Sequence, residues 1–434
     1  MTAEAIADPG WIAHLTKGAE WNRWNLQIPR GRENRNLQVP SEDANPPWGE
    51  RADGMRAARS YGMTSLEHFP PARAIGRCLL LLALGGCSGA DDPVEDAGTP
   101  DAQDCSALEQ KISAELDVAA QDPNIVGTPD FTLLLESQDG RAYTHSHGNA
   151  GPTVVYESAS TSKLVSAVII LDLVDQGVLS LETKAHDLLP FWTETTVTLR
   201  QLLSFTSGFY DEPFCLNVGG ANFETCVESI YTDNAATAPA AGTVYQYSSS
   251  HLQVAGLMAI KAKGVASWTE IFNAWKAKTG LFPTATYDLP SATNPRLAGG
   301  MHWNATEYLG FLRALSAGQI LAPATRTQLF ANQRGSATLT NSPAWAKVQE
   351  DWSYGLGNWL ECPTAKTLGG FDCGTGHRNS SPGAYGSYPF LDFDHHYVGV
   401  LARMGELGQG FEGVLLFRSA AEDIAKWADG ACGP

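Results

Sequence analysis

The residues best suited to chemistry in this chain stand together at Ser160-Thr161-Ser162-Lys163. An extended apolar run, Thr153-Val154-Val155-Tyr156, leads into them, and Leu164, Val168, Leu171 and Val174 recur behind them at helical spacing. That pattern puts Ser160 at a helix N-terminus and Lys163 one turn on, on the same face. A serine hydroxyl becomes a useful nucleophile only when a base takes its proton, and a lysine amine does so only when neutral. The amine's ordinary pKa, about 10.4, must then fall to about 7, which burial and a neighbouring cationic or donor-rich site produce. The positive end of the helix favours negative charge on Ser160 and disfavours a protonated lysine. A serine here also serves simply as a helix cap, so the pair gains a catalytic meaning only from what accompanies it.

Two further stretches accompany it. Pro239-Ala240-Ala241-Gly242-Thr243 leads to Tyr247-Ser248-Ser249, a tyrosine in a polar turn ahead of a helix expected over His251 to Lys263. A phenol both donates and accepts, and beside a Ser/Lys pair it is suited to moving a proton. Later, Gly376-His377-Arg378-Asn379-Ser380-Ser381-Pro382-Gly383-Ala384-Tyr385-Gly386-Ser387-Tyr388 carries small residues into a strand. A substrate can lie along such an edge, and a backbone N–H there can join that of Ser160 as an oxyanion hole. His377 reads either as a loop histidine or as a charge offered to the site.

The elements that must hold these groups come from both ends of the chain. A helix is expected over Ser106 to Gln121, then a hairpin of Asp130–Leu135 and Arg141–Thr144 about the turn Asp139-Gly140. From about 185 to 345 the chain reads as irregular and rich in helix. Strand patterns return at Tyr354–Leu360, Tyr385–Leu391 and Tyr397–Met404, before a last helix near Ala420–Asp429. Strands at both ends with helices between them imply a sheet assembled from the two chain ends, with an inserted helical domain.

Taken in order, these residues carry a resemblance. Ser160-x-x-Lys163, Leu202-Leu203-Ser204-Phe205-Thr206-Ser207-Gly208, Gly242 to Ser249, Ala298-Gly299-Gly300, Tyr354-Gly355-Leu356-Gly357 and Gly383–Tyr388 together resemble the serine β-lactamase-related superfamily. Within it the chain is most similar to the class C-like branch, which holds family VIII carboxylesterases, class C β-lactamases and D-alanyl-D-alanine peptidases. The similarity runs over roughly residues 125–430. It implies an α/β (α+β) fold with an antiparallel sheet flanked by helices, an acylated nucleophile at Ser160, its base partner at Lys163 and the motif phenol at Tyr247. It also places Ser249 where the family's second motif has Asn, an exchange that removes an amide contact to a β-lactam or peptide carbonyl and is tolerated among the esterases. The family's third motif, Lys-Thr-Gly or His-x-Gly, falls on Ser381 to Gly383, with the oxyanion N–H on Ala384. Its cationic side chain is then missing, unless His377 or Arg378 reaches back into the site. What the resemblance implies is hydrolysis of small acyl esters, with a β-lactamase, a D-alanyl-D-alanine carboxypeptidase or a non-catalytic penicillin- or peptidoglycan-binding relative as alternatives.

Totals and termini complete the expectations. The 434 residues are 43% hydrophobic, enough for a large core, and the formal charge of −18 leaves no excess of cations to meet nucleic-acid phosphates. The resemblance, not the composition, implies a small-molecule substrate, an ester or a β-lactam or peptide, and no cofactor. Arg73 and Arg77 precede an apolar run, Cys78 to Leu84, that ends Gly85-Gly86-Cys87. This reads as a secretory signal over 63–87 that resembles a lipobox, with Cys87 lipidated, a bacterial cell-envelope address and membrane contact only through that anchor. Residues 1–62 read as a disordered or spurious extension, 88–104 as an acidic tether and 105–434 as the hydrolase body, with the insertion at about 185–345. Six cysteines remain for an oxidising compartment, pairing as Cys105 with Cys432, Cys215 with Cys226 and Cys362 with Cys373. No Cys-x-x-Cys or His-x-x-x-His spacing supports a metal instead, and no Gly-x-Ser-x-Gly elbow supports an ordinary α/β-hydrolase.

Overall fold

The computed structural model describes residues 104–433. The expectations for residues 1–103, lipidated Cys87 among them, lie outside the described residues.

In chain order the helices are α1 (Ser106–Ala120), α2 (Ser162–Asp175), α3 (Ala185–Leu188), α4 (Leu199–Leu203), α5 (Phe223–Asn234), α6 (Ser250–Lys263), α7 (Trp268–Thr279), α8 (Ala305–Ser316), α9 (Pro323–Phe330), α10 (Pro343–Val348), α11 (Glu412–Arg418) and α12 (Ala421–Ala428). The strands are β1 (Phe131–Ser137), β2 (Ala142–His147), β3 (Tyr156–Glu157), β4 (Val244–Gln246), β5 (Thr286–Tyr287), β6 (Met301–Trp303), β7 (Thr338–Asn341), β8 (Ser353–Tyr354), β9 (Trp359–Leu360), β10 (Arg378–Ser380), β11 (Tyr388–Asp392) and β12 (Tyr397–Ala402).

Both faces of β1 are buried, as its run Phe131-Thr132-Leu133-Leu134-Leu135 requires, whereas β2 alternates and forms an edge. The other neighbour of β1 is β12, from the far end of the chain, with Thr132 opposite Ala402 and Ser137 opposite Tyr397. The full order is β2-β1-β12-β11-β10-β9-β8, antiparallel throughout. Helices α1, α11 and α12 pack together at the chain ends, and α8 lies against β1, β11 and β12. The protein is therefore a mixed α/β structure with an antiparallel sheet made by both chain ends and a helix-rich insertion between them.

Helix α2 sits deepest. The apolar spacing suggests one buried stripe, yet every residue from Ser162 to Leu173 is buried, so the helix is wrapped on all sides. Its polar side chains are bonded inside: Ser166 Oγ donates to the Leu297 carbonyl (2.7 Å), and Tyr308 Oη donates to that of Thr161 (2.7 Å). The expected extended run before it shortens to Tyr156–Glu157, with Val155 63% exposed. The stretch Tyr354–Leu360 is likewise not one strand but the hairpin β8–β9. Gly357 turns it at φ +80°, and a Cβ there would stand 2.4 Å from Ala167 Cβ and 2.9 Å from the Lys163 carbonyl. Only glycine lets this hairpin press against α2 at the height of Lys163.

Disulfides join Cys105 to Cys432, Cys215 to Cys226 and Cys362 to Cys373. Among the described residues no helix is long and apolar enough to cross a membrane.

Candidate active site

Ser160 stands in a single 3₁₀ turn, Ala159–Thr161, that runs straight into α2. The turn is held from behind: Ser158 N donates to the Met301 carbonyl (2.8 Å), and Met301 N donates to Ser158 Oγ (2.9 Å). Ala159 sits at φ +42°, a left-handed conformation unfavourable for a residue with a Cβ, and this strain falls immediately before Ser160. One turn on, Lys163 Nζ donates to Ser160 Oγ (2.8 Å) and to the Ala298 carbonyl (3.0 Å). Burial pushes its amine down to about 7, and the charge of Arg296 pushes the same way against the opposing pull of Glu212. Near neutrality a large fraction of Lys163 is therefore free to accept a proton.

Tyr247 reaches the same place from the insertion. Strand β4 pairs in parallel with β7, bulging between Tyr245 and Gln246, and Tyr247 N then donates to the Asn341 carbonyl (3.1 Å). Its ring stacks on Trp359 (centroids 5.1 Å, 19°), meets Phe205 edge-on at 5.5 Å, and lies under Lys163 Nζ at 4.6 Å. Burial raises the phenol well above its ordinary value, partly offset by the neighbouring Ser160 hydroxyl and Trp359 indole. Tyr247 is thus a protonated phenol at neutral pH, a donor rather than a resting phenolate. His251 stiffens this wall. Burial pushes its imidazole down to about 4, so it is neutral, donating from Nε2 to the Gln246 carbonyl (3.0 Å) and accepting the Ser207 hydroxyl at Nδ1 (2.9 Å).

The third wall is the segment after β10. Ser381 Oγ donates to the Ser160 carbonyl (2.9 Å), so this serine braces the Ser160 backbone. A Cβ on Gly383 would come within 2.6 Å of the Ser158 carbonyl oxygen and 3.0 Å of Thr161 Cγ2, so glycine is what lets the segment lie against the Ser160 turn. The turn beyond is closed by Gly383 N donating to Ser387 O (2.8 Å) and Gly386 N to Gly383 O (2.9 Å), while among the described residues the Ala384 amide has no backbone acceptor.

The structure brings Ser160, Lys163, Tyr247, Ser381 and Gly383 together and puts Ser249 at the start of α6 beside them. It does not bring His377 or Arg378, which corrects the expectation of a charge reaching back from that loop. His377 is spent on Asp394 (2.9 Å). Arg378 is bound by Asp392 (2.6 Å) and lies over the rings of Phe417 and Phe390 under the sheet. Sequence reasoning missed three residues. Trp359 flanks Tyr247; Glu212 takes the Ser249 amide (2.5 Å); and Arg296 pairs with Glu212 (2.6 Å). The one signal that pointed toward them was the Tyr354–Gly357 block, which ends two residues before Trp359.

A family model described as Beta-lactamase matches residues 133–406, a span that contains all of these groups. The chain belongs to the Beta-lactamase family. Solved structures share this fold. A putative β-lactamase from Bacteroides dorei is 24% identical, covering 74% of this chain and 99% of its own, with a TM-score of 0.60. EstCE1, described as a hydrolase with promiscuous acyltransferase activity, is 17% identical over 73% of this chain and all of its own, at 0.58. The D-amino acid amidase from Ochrobactrum anthropi is 15% identical over 74% and 99%, at 0.57. A curated relative, penicillin-binding protein 4 of Amycolatopsis lactamdurans, is 38% identical over 71 residues, and that match spans 15% of this chain and 18% of that protein. Beta-lactamase-family architecture thus accounts for the sheet and the helix-rich insertion.

Proposed function

We propose that this chain is a serine hydrolase that cleaves small acyl esters through an acyl-enzyme on Ser160. The observation that carries the reading is Lys163 Nζ at 2.8 Å from Ser160 Oγ with its amine brought down to about 7 by burial. Neutral Lys163 takes the Ser160 proton as Oγ attacks the ester carbonyl. The carbonyl oxygen, now an anion, is received by the amides of Ser160 and Ala384. Tyr247 gives its proton to the departing alkoxide and recovers one from the Lys163 ammonium. Water then attacks the acyl-enzyme, losing its proton to the same pair, which hands it on to Ser160 Oγ as the ester bond to the serine breaks and the carboxylic acid departs.

Ester over β-lactam or peptide is supported by two exchanges at the site. Ser249 has no amide to offer a substrate carbonyl, and Ser381 brings a hydroxyl bound to the Ser160 carbonyl where a cation would meet a carboxylate. The short likeness to penicillin-binding protein 4 favours the second reading, a β-lactamase or peptidase. Turnover of p-nitrophenyl butyrate against nitrocefin decides between them, with Ser160→Ala as the blank. Ester hydrolysis that greatly exceeds nitrocefin opening and vanishes in the blank is the expected result. A preference for nitrocefin overturns the ester reading, and no turnover of either overturns both hydrolase readings in favour of a binding protein.

A further inference from the structure

We propose that Glu212 and Arg296 form a positioning pair for the reacting groups: Arg296 brings to the site, from the loop before β6, the positive charge absent at Ser381, and Glu212 fixes both that charge and the backbone of Ser249. The proposal deepens the hydrolase reading and rests on it.

The pair is built rather than incidental. Arg296 Nη2 donates to Glu212 Oε2 (2.6 Å) and Nη1 to Asn217 Oδ1 (2.9 Å), while Glu212 Oε1 accepts the Ser249 amide (2.5 Å). Both loops are anchored. Asn234 Oδ1 accepts the amides of Tyr210 (3.0 Å) and Asp211 (2.8 Å), and the Cys215–Cys226 disulfide closes the segment after Glu212. Asn294 Nδ2, two residues before Arg296, donates to the carbonyls of Cys215 and Val218, tying the second loop to the first. The two side chains remain 26% and 28% exposed, so they border the cleft instead of lying under it. An arginine fixed bidentately by partners from one loop acts as a stationary charge.

The pair is joined to the reacting groups on both sides: Ser249, whose amide Glu212 accepts, follows Tyr247 by two residues, and Ala298, whose carbonyl accepts Lys163 Nζ (3.0 Å), follows Arg296 by two. Arg296 disfavours the ammonium of Lys163 and Glu212 favours it, and Glu212 also weighs on Tyr247 and His251. The other groups facing Lys163 are uncharged at neutral pH: the Tyr247 ring, the His251 imidazole, the Ser160 hydroxyl and the Ala298 carbonyl. Across the cleft Tyr385, next to Ala384, feels Arg296 and Glu157. The two members of the pair therefore act on Lys163 with opposite sign, and removing one should unmask the other.

The test uses the full chain carrying Arg296→Met, Glu212→Gln, both together, and Arg296→Lys. The readout is the pH dependence of Ser160 labelling by a fluorophosphonate, alongside kcat/KM for p-nitrophenyl butyrate. Arg296→Met should move the acid limb about one pH unit upward, and Glu212→Gln should move it downward by a similar amount, the order of effect of removing one unit charge near a titrating group. The double variant should return close to the wild type, and Arg296→Lys, which keeps the charge, should stay closer to it than Arg296→Met. Should Arg296→Met fail to fold, Arg296→Gln and Glu212→Gln carry the same test. Limbs that all coincide with the wild type, or shifts that add in the double variant, overturn the pair's role. Labelling with normal pH shifts but no ester turnover overturns the ester reading alone.

Discussion

A buried lysine is a costly side chain for a fold to keep, and Lys163 is kept against the hydroxyl it serves. Its amine must be neutral to accept a proton, so kcat/KM for an ester should rise with pH through a midpoint near 7. The same displacement has a stability consequence. The folded value lies below the unfolded one, so between about 7 and about 10.5 the unfolded chain binds more protons and stability grows as pH rises through that window. Lys163→Met should be inactive yet melt higher than the wild type at pH 6, with the gap narrowing toward pH 10 in paired thermal melts. Trp359→Ala removes the ring stacked on Tyr247 and should lower kcat about tenfold with little change in KM, the size of one aromatic contact of about 1.4 kcal/mol that positions the phenol. Ser160, Lys163 and Tyr247 were legible because each announces itself within a few residues of chain. Trp359, Glu212 and Arg296 were not, since their meaning lies in meeting residues far along the chain, 37 apart for Glu212 and Ser249 and 84 apart for Arg296 and Glu212.

At the scale of elements, the nucleophile turn depends on what leans on it. Gly383→Ala would drive a methyl group to 2.6 Å from the Ser158 carbonyl and push the Ala384 amide away from the oxyanion position. A loss of kcat of about 10²–10³-fold is expected, the effect of one missing oxyanion donor, in steady-state kinetics where circular dichroism shows the fold retained. The hairpin β1–β2, helix α1 and helix α6 were readable from period and turn residues, because nothing outside those segments is needed to shape them. The hairpin β8–β9 was not. Its residues are apolar and strand-like throughout, and what bends them at Gly357 is the approach of α2, a tertiary cause with no local signature beyond the glycines. Strand β10, only Arg378–Ser380, and helix α11 were missed for a similar reason: both are short, and β10 exists through its pairing with β9 and β11.

For the molecule as a whole, the two ends of the folded body are fastened to each other. Cys105–Cys432 closes the body at the point where Arg141 Nη2 donates to the Ala428 carbonyl (3.0 Å), and replacing both cysteines by serine should cost about 2–5 kcal/mol, read as a lower midpoint in denaturant. The envelope address is a proposal from the sequence; Cys87→Ser should shift the protein from the membrane to the soluble fraction of a bacterial host. The arrangement of the sheet bears on the same question by another route. Its first two strands end at His147, and the partner they need begins at Tyr397, so some 250 residues must be made before β1 gains its second neighbour. During synthesis the amino-terminal hairpin waits, marginal alone, for the last strand to arrive. A chain wired this way cannot complete its sheet, whatever else has formed, until its last strand has been made.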